Sequence, residues 1–330
     1  FFLSKKIENL ISEAPPKIIL LNSDRSGPSI ETILLILSKK YKIKIVLPYL
    51  SIINSGKAVR IKNPDTFKLN LIGKIFINSK YTFQKDFVSY GFYTVSQYLT
   101  LKLLKCLTAN PFSNGNNPTT SILCLDSKFT FNKISDNIIN PKKVKFIGRV
   151  EYDFILKNQN IKKNKILLSL PHLFEHKMLN WENHINFIYN LIEILAKKEK
   201  LTISLHPKSN FENYDFLQQK FNCIITKSPI QEEIVKSKLF VCMNSSIAIW
   251  STLIGVKTII LDFFDLDISM FTQLTSISYV NSLSNLKKEL NDNKIIDYSN
   301  DWKILKKDEL SSSTSSTKMN LLLKNLVNDF

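Results

Sequence analysis

The stretch that decides the fold is residues 201–262, LTISLHPKSNFENYDFLQQKFNCIITKSPIQEEIVKSKLFVCMNSSIAIWSTLIGVKTIILD. Four short apolar runs in it predict strands, and the segments between them have the length and apolar spacing of short helices. A polar loop containing His206-Pro207 follows the first run, and a second one, containing Asn244-Ser245-Ser246, follows the third. Strands that alternate with helices form parallel sheets, so both loops are expected at the carboxyl ends of their strands. Open α/β sheets bind phosphorylated ligands there, because helix N-termini expose unpaired N–H groups.

The same alternation of strand and helix continues on both sides of this stretch. Pro48 is expected to end the second strand of the chain, and Gly255 is expected to end the helix before the last strand of the stretch, because glycine readily takes a positive φ. The further predicted strands are Lys17–Leu21, Lys42–Leu47, Ile72–Asn78, Ser121–Leu125, Val144–Ile147 and Lys165–Leu170, and the clearest helices are Ile30–Lys40 and Trp181–Lys197.

Two successive arrays of this kind predict an α/β protein made of two Rossmann-like domains that face one another, each with a parallel sheet. A chain of 330 residues that is 44% hydrophobic can form two separate cores. We expect an N-terminal domain over residues 1–148 and a second domain over residues 149–310, joined near Gly148–Asn158. Residues 311–330 are expected to form a linker, Ser311–Thr317, and a last helix.

The charge balance favours anionic partners. Lys and Arg total 45 against 28 Asp and Glu, a net charge of +17, which attracts nucleic acid, anionic lipid or nucleotide-linked substrates. An AT-rich genome also enriches lysine, so the excess has a second explanation. No run of about 18 apolar residues predicts a transmembrane helix. The four cysteines are far apart and form no C-x-x-C pair, which predicts buried reduced thiols and a cytoplasmic protein.

The second domain holds the candidates for phosphate binding. His206, fixed by Pro207, can donate a hydrogen bond to a phosphate or a leaving oxygen, or it can simply cap a turn. Asn244, Ser245 and Ser246 can bind phosphate at a helix start, or a serine can serve as a helix cap.

His172 follows another strand of this domain and is a further candidate for the binding pocket. Its four-residue spacing from His176 would suit a metal ion if the segment were helical. Pro171 precedes the pair, and no H-E-x-x-H arrangement is present, so we predict no metal.

In the first domain, the loop Asn22–Ser29 is a further candidate site. Asp24 can act as a general base, and Arg25 can bind an anion beside Ser26 and Gly27. A solvated turn is the alternative. The loop is neither a G-x-G-x-x-G nor a P-loop sequence, so no dinucleotide or ATP fingerprint is present.

Together, these motifs resemble those of bacterial surface-polysaccharide proteins with the GT-B architecture. The histidine of "HP" and the "SS" pair are similar to the donor-phosphate contacts of bacterial sialyltransferases, Kdo transferases and glycerophosphotransferases. On that resemblance His206, Ser245 and Ser246 are implied as phosphate contacts. Gly148 and Asp153 match the junction motif V-x-G-N-P-x-x-D of UDP-N-acetylglucosamine 2-epimerase-like and capsule-biosynthesis proteins, whose Asn-Pro is replaced here by Arg-Val.

The departures from these families bear on the activity. The chain lacks the carboxylates of the epimerase motif D-S-G-G-x-x-E-E, the first-domain His-Gly of the glycerophosphotransferases and the acidic base motif of the sialyltransferases. Asp24 is the one comparable carboxylate, so Asp24 and His206 are the predicted catalytic residues. A UDP-N-acetylhexosamine 2-epimerase or hydrolase, a basic nucleic-acid-binding protein and an inactive family member are the alternatives.

The resemblance implies a metal-independent glycosyltransferase for capsule or lipopolysaccharide synthesis, with no cofactor beyond a CMP- or UDP-linked sugar as co-substrate. The implied partners are that donor and a glycan or lipid-linked acceptor, and no nucleic acid is expected. The acceptor would bind at the loop that contains Arg25, Ser26 and Gly27, the candidate acceptor loop. We expect a cytoplasmic protein in peripheral contact with the anionic inner face of the cell membrane.

Overall fold

The computed structural model describes residues 2–26, 29–50, 67–85, 87–109, 114–134, 140–176, 178–207, 209–243, 245–264, 269–292 and 294–328. Among them, the residues up to Arg149 and those from Ser313 onward form one compact unit, the first unit, while Val150–Ser312 form the second unit. Parallel sheets run through both units, which confirms the predicted α/β class.

The secondary structure is numbered along the chain. The strands are β1 Ile18–Leu20, β2 Lys44–Leu50, β3 Phe67–Lys68, β4 Thr82–Lys85, β5 Val88–Gly91, β6 Ile122–Leu125, β7 Val144–Phe146, β8 Lys165–Ser169, β9 Leu201–Ser204, β10 Ile224–Thr226, β11 Ser237–Cys242, β12 Lys257–Leu261 and β13 Ile277–Val280. The helices are α1 Phe2–Glu13, α2 Ile30–Lys40, α3 Leu71–Phe76, α4 Val95–Leu103, α5 Lys128–Ile134, α6 Val150–Lys157, α7 Trp181–Ala196, α8 Phe216–Phe221, α9 Ile230–Ile234, α10 Ala248–Leu253, α11 Leu283–Asn291, α12 Tyr298–Leu305, α13 Lys307–Ser311 and α14 Ser315–Asn328.

The first unit is built on a parallel sheet with the strand order β1-β2-β6-β7. Its central strands are buried on both faces, as the apolar runs of a parallel sheet require. Strand β2 does not end at Pro48 as predicted. It continues to Leu50, and its register with β6 shifts between Leu47 and Leu50, so the proline lies at an irregularity of the pairing.

Part of the first unit departs from the predicted pattern. Strands β3, β5 and β4 form a small antiparallel sheet that the sequence did not predict. The prediction of a strand at Ile72–Asn78 is wrong, because this segment contains helix α3. The side chain of Asn70 caps that helix by accepting a hydrogen bond from the Gly73 N–H at 2.8 Å.

Helix α14 belongs to the first unit and packs on its sheet. Met319 and Leu326 of the helix cluster with Val46, Cys124 and other buried residues of the sheet. The helix begins three residues earlier than predicted, because the Thr314 hydroxyl accepts a hydrogen bond from the Thr317 N–H at 3.2 Å and caps it. The fit is close, since a Cβ on Gly148 would lie 2.5 Å from the hydroxyl oxygen of Ser315.

The second unit contains a parallel sheet with the strand order β10-β9-β8-β11-β12-β13. Strands β8 and β9 consist almost entirely of buried residues, and helix α7 covers them with a buried stripe that includes Ile188, Leu191 and Leu195. The Asn180 side chain caps α7 by accepting from the Asn183 N–H at 2.9 Å. Gly255 has φ +67° two residues beyond α10, as expected for a residue that ends a helix.

All four cysteines are buried free thiols, as predicted. None of the helices in the described part of the chain is long and apolar enough to cross a membrane.

Candidate functional site

The strand order of the second unit places the candidate phosphate residues on neighbouring strands. His206 follows β9, His172 follows β8, and Ser245 and Ser246 follow β11. Strand β8 lies between β9 and β11, and the direction in which successive strands are added reverses between β8 and β11. Such a reversal opens a crevice at the carboxyl ends of the strands, which is where ligands of open α/β sheets bind.

Three imidazole rings lie together at this edge. The rings of His172 and His206 are stacked, with centroids 4.1 Å apart and planes inclined by 18°, and the ring of His176 lies 4.2 Å from His172. A turn closed by a 3.2 Å bond from the His176 N–H to the His172 carbonyl brings the pair together. All three side chains are half-buried.

His172 and His176 therefore lie on one helical turn. This is the condition under which their four-residue spacing would suit a metal ion. Within the described residues, no group of three or more His, Cys, Asp or Glu side chains is placed to hold one.

A hydrogen-bonded chain lies beside the imidazoles. The Tyr214 hydroxyl donates to Glu175 Oε1 at 2.9 Å and lies 2.9 Å from Nε2 of the fully buried His184. Burial acts to raise the pKa of Glu175, but polar contacts with Ser209, the loop backbone and Tyr214 outweigh it, so this pKa lies below its ordinary value. Burial lowers the pKa of His184, and the charge of Glu175 opposes this only in part.

The serine pair is divided between two roles. The Ser245 hydroxyl accepts a hydrogen bond from the Ile247 N–H at 3.3 Å and so supports the turn that leads into α10. That helix begins at Ala248, two residues later than predicted. The Ser246 hydroxyl is half-buried and makes no hydrogen bond with the part of the chain that the structure describes. Asn244, the third candidate here, lies outside the described residues.

His206 closes a turn of its own, in which its carbonyl accepts a hydrogen bond from the Ser209 N–H at 2.8 Å. Pro207 is exposed on this turn. The turn fixes the backbone from which the His206 ring extends.

Asp24 of the first unit is fully buried, and its carboxylate binds three donors. These are the Gly115 N–H at 2.8 Å, the Asn117 N–H at 3.0 Å and the Thr120 hydroxyl at 2.9 Å. Burial raises the pKa of Asp24 against the opposing effect of these bonds. Asp301 of the second unit, also fully buried, accepts from the Thr275 and Ser276 N–H groups in the same way. Such a carboxylate holds loops together, and the catalytic role of Asp24 stays a prediction.

The rest of the candidate acceptor loop is also held in place. The Ser26 hydroxyl lies 3.1 Å from the Tyr93 hydroxyl and 2.9 Å from the Thr108 hydroxyl. Arg25 is exposed between the two buried residues, and its guanidinium forms no ion pair or hydrogen bond within the described residues. Gly27 lies outside them.

The sequence analysis missed Glu175, His184 and Tyr214 and gave His176 no role. The four-residue spacing of His172 and His176 was the available signal for His176. Nothing in the sequence pairs Tyr214 with Glu175, which lies 39 positions away.

Comparisons with known proteins bear on the family and the fold. The family model of alpha-2,8-polysialyltransferases matches residues 105–262, which include His172, His206, Ser245 and Ser246. No curated protein matches the chain by sequence. The structure of S. aureus MnaA with UDP is similar to the chain at a TM-score of 0.51 and 11% identity, covering 98% of this chain and 78% of that one.

Two further solved structures are similar at lower scores. One is the UDP-GlcNAc 2-epimerase of Methanocaldococcus jannaschii in complex with UDP-GlcNAc and UDP, with a TM-score of 0.49, 14% identity and coverage of 90% of this chain and 75% of that one. The other is a variant of the wall teichoic acid polymerase TagF, with a TM-score of 0.49, 10% identity and coverage of 95% and 74%.

The fold and the family match define a class of protein: the chain is a glycosyltransferase of GT-B architecture that uses a nucleotide-sugar donor. More particularly, it is similar to the polysialyltransferases over the segment that forms the strand reversal. This match favours the transferase over the epimerase considered as an alternative.

Proposed function

We propose that the chain transfers a sialic-acid-type sugar from a CMP-linked donor to a growing surface glycan. The observation that carries this proposal is the polysialyltransferase match over residues 105–262, which contains the three-imidazole cluster and the serine pair. A CMP-linked sugar has one phosphate, which a single small cluster of donors can bind.

In the proposed reaction, the bond between the anomeric carbon and the phosphate oxygen breaks, and CMP leaves with one additional negative charge. The acceptor hydroxyl oxygen forms the new bond to that carbon, and its proton passes to water. Ring N–H groups of His206 and His172 and the Ser246 hydroxyl would stabilise the charge on the departing phosphate, which is where fixed donors lower a barrier most. No metal ion is needed for these steps, so EDTA should leave the rate unchanged.

Arg25 is the proposed contact for the acceptor. A polymer of sialic-acid-type sugars carries a carboxylate on every unit, and a guanidinium binds a carboxylate through two parallel hydrogen bonds. The exposure of Arg25 beside the rigid Asp24 loop supports this role.

A peripheral contact with an anionic membrane is also proposed. The groove between α7 and α11 is lined by Lys197, Lys198 and Lys287 around Ile194 and Leu290. Glu193 also lines it and pairs with Lys197 at 2.7 Å, so the groove keeps an excess of positive charge that suits an anionic lipid. Binding to vesicles containing phosphatidylglycerol, but not to pure phosphatidylcholine vesicles, should weaken when Lys197 and Lys287 are replaced by glutamate. Equal binding by the double variant would contradict the contact.

The donor proposal is tested by calorimetric titration of the purified protein with CMP, UDP and GDP. We expect CMP to bind, and His206→Ala to weaken its binding by about 10-fold or more, roughly the loss of one hydrogen bond to a charged group. CMP release from a CMP-linked sialic acid should depend on an oligosialic acceptor. Arg25→Ala should raise the acceptor KM and leave CMP affinity unchanged.

Other outcomes would change the proposal in defined ways. Preference for UDP would move the donor to the UDP-linked class, and turnover of UDP-N-acetylglucosamine without an acceptor would restore the epimerase. Unchanged CMP affinity in His206→Ala would remove the histidine cluster from the donor site.

A further inference from the structure

All four histidines of the chain lie between positions 172 and 206, in the second unit. Three of them form the imidazole cluster described above, and the fourth, His184, is fully buried in α7. The Tyr214 hydroxyl links this buried histidine to Glu175 through two contacts of 2.9 Å. Glu175 lies in the turn between His172 and His176, so the chain His184–Tyr214–Glu175 ends on the loop that carries the imidazoles.

The direction of the hydrogen bonds in this chain is fixed. A carboxylate can only accept, so the Tyr214 O–H donates to Glu175. The Tyr214 oxygen must then accept from the Nε2–H of His184, which makes His184 the neutral tautomer with a bare Nδ1. That nitrogen is buried and has no hydrogen-bond partner among the described residues, so a proton on it would be an unsatisfied buried donor. The lowered pKa of His184 agrees with this tautomer.

Aromatic side chains pack against the same three hydrogen-bonded residues. The Trp181 ring contacts both Tyr214 and His184, with centroids 5.6 Å and 5.8 Å away. Phe174, next to Glu175, packs edge-on against Trp181 at 5.3 Å. The loop after β8 thus reaches the start of α7 at two adjacent residues, Phe174 by its aromatic contact with Trp181 and Glu175 through Tyr214, which bonds to His184.

We propose that Glu175 and Tyr214 are positioning residues that hold His172 in the orientation in which its ring stacks on that of His206, with the His176 ring against it, so that the imidazoles meet the donor phosphate. The inference rests on the proposed function of this cluster. Neither residue needs to touch the donor, because Tyr214 acts through Glu175, and Glu175 acts through the turn closed by the His176 N–H. Loss of the hydrogen bonds between His184, Tyr214 and Glu175 should therefore weaken donor binding, although the imidazoles that contact the donor are still present.

The test compares Tyr214→Phe, Glu175→Ala and Glu175→Gln, with Tyr189→Phe as the control for the same chemical change elsewhere in the second unit. Tyr214→Phe keeps the ring that Trp181 contacts and removes only the hydroxyl. We expect Tyr214→Phe and Glu175→Ala to raise the Kd of CMP about 10-fold and to lower kcat/KM by at least as much, because displaced imidazoles bind the phosphate and its developing charge less well. Glu175→Gln should recover most of the affinity, because its amide oxygen still accepts from Tyr214.

The loss of CMP affinity in a folded variant, together with the rescue by glutamine, separates positioning from a purely structural role. Wild-type kcat/KM and CMP affinity in folded Tyr214→Phe and Glu175→Ala would overturn the inference. So would a loss in Glu175→Gln as large as in Glu175→Ala, because the charge would then matter and the hydrogen bond would not. If Tyr214→Phe does not fold, the test uses Glu175→Ala alone, because Glu175 is half-buried in a loop and its replacement disturbs the core less.

These outcomes are distinguishable from failure of the proposed function. If His206→Ala binds CMP as well as wild type, the donor site itself is misplaced. If His206→Ala loses binding and both positioning variants keep it, the donor site stands and the positioning inference falls.

Discussion

The Asp24 loop of the first unit and the His172 loop of the second unit both follow a strand of a parallel sheet, yet they use their polar side chains differently. In the Asp24 loop, the carboxylate and the Ser26 hydroxyl are buried and bonded to groups of the same unit. In the His172 loop, two imidazoles are half-buried and in ring contact, and Glu175 between them accepts a hydrogen bond from Tyr214.

This difference shows that polar residues after a strand can either stabilise a loop or bind a ligand. Polar groups whose bonds are completed internally stabilise a loop, whereas polar groups that remain partly exposed on a rigid base are available to a ligand. Residue type alone did not distinguish these cases, because a buried aspartate and a catalytic one have the same place in the sequence pattern.

The largest expected effect is on stability and belongs to the Asp24 loop. Asp24→Ala leaves three buried donors without an acceptor and should lower the free energy of unfolding by about 3 kcal/mol or more. Urea denaturation measures this, with the exposed Asp292→Ala as the matched control. At low temperature, the folded fraction should keep its kcat. A loss of kcat beyond about 100-fold with unchanged stability would instead make Asp24 the catalytic base.

The next effect is on binding and belongs to the His172 loop. His172→Ala removes the central ring of the cluster and should weaken CMP binding about 10-fold, or about 1.4 kcal/mol. Because the ring is half-buried, the free energy of unfolding should change by less than about 1 kcal/mol. Calorimetry and urea denaturation on the same preparation check both values. If His172→Ala instead lost stability and kept its CMP affinity, the His172 loop would have a structural role like that of the Asp24 loop.

A smaller effect is expected at the serine pair. Ser246→Ala removes a hydroxyl without a partner in the described residues, so it should weaken CMP binding about 3-fold and leave stability unchanged. Ser245→Ala should show the opposite, a small loss of stability from the turn it supports. Ser284→Ala, an exposed serine in α11, is the control for both. If the Ser245 and Ser246 variants behave alike, the division of roles is wrong.

The smallest effect is a pH dependence of stability. Burial raises the pKa of Asp24 above its ordinary value of 3.8, so the folded protein binds this proton more tightly than the unfolded chain does. Stability from this group therefore falls as the pH rises between the ordinary and the raised pKa, and it is constant above. Relative to Asp24→Asn, the wild type should lose stability across that window in urea titrations from about pH 4 to about pH 7. A relative gain would mean that the hydrogen bonds outweigh burial.

Local signals in the sequence predicted much of the second unit. The apolar runs of β8, β9, β11 and β12 are long enough for buried parallel strands, and the apolar stripe of α7 has helical spacing. The same reasoning failed at Ile72–Asn78, because a short apolar run fits a strand and a helix equally well. There the Asn70 cap decides for the helix.

The site was predictable in its parts and not in its arrangement. His206 and the serine pair each follow a predicted parallel strand, so the sequence pattern places them at the carboxyl edge of the sheet. The position of β8 between β9 and β11 depends on the order in which strands pair, which is set by long-range packing. The contact between Tyr214 and Glu175 depends on the same packing, so the sequence gives no sign of it.

The packing of α14 has a consequence for the order in which the protein is made. The first unit contains most of the early part of the chain, but Met319 and Leu326 complete one of its buried clusters. Domains usually begin to fold during synthesis, starting from the N-terminus. Here the second unit can finish its core while the first still lacks one side of its own. During translation, the apolar sheet surface around Val46 and Cys124 is therefore exposed until residues 315–328 emerge.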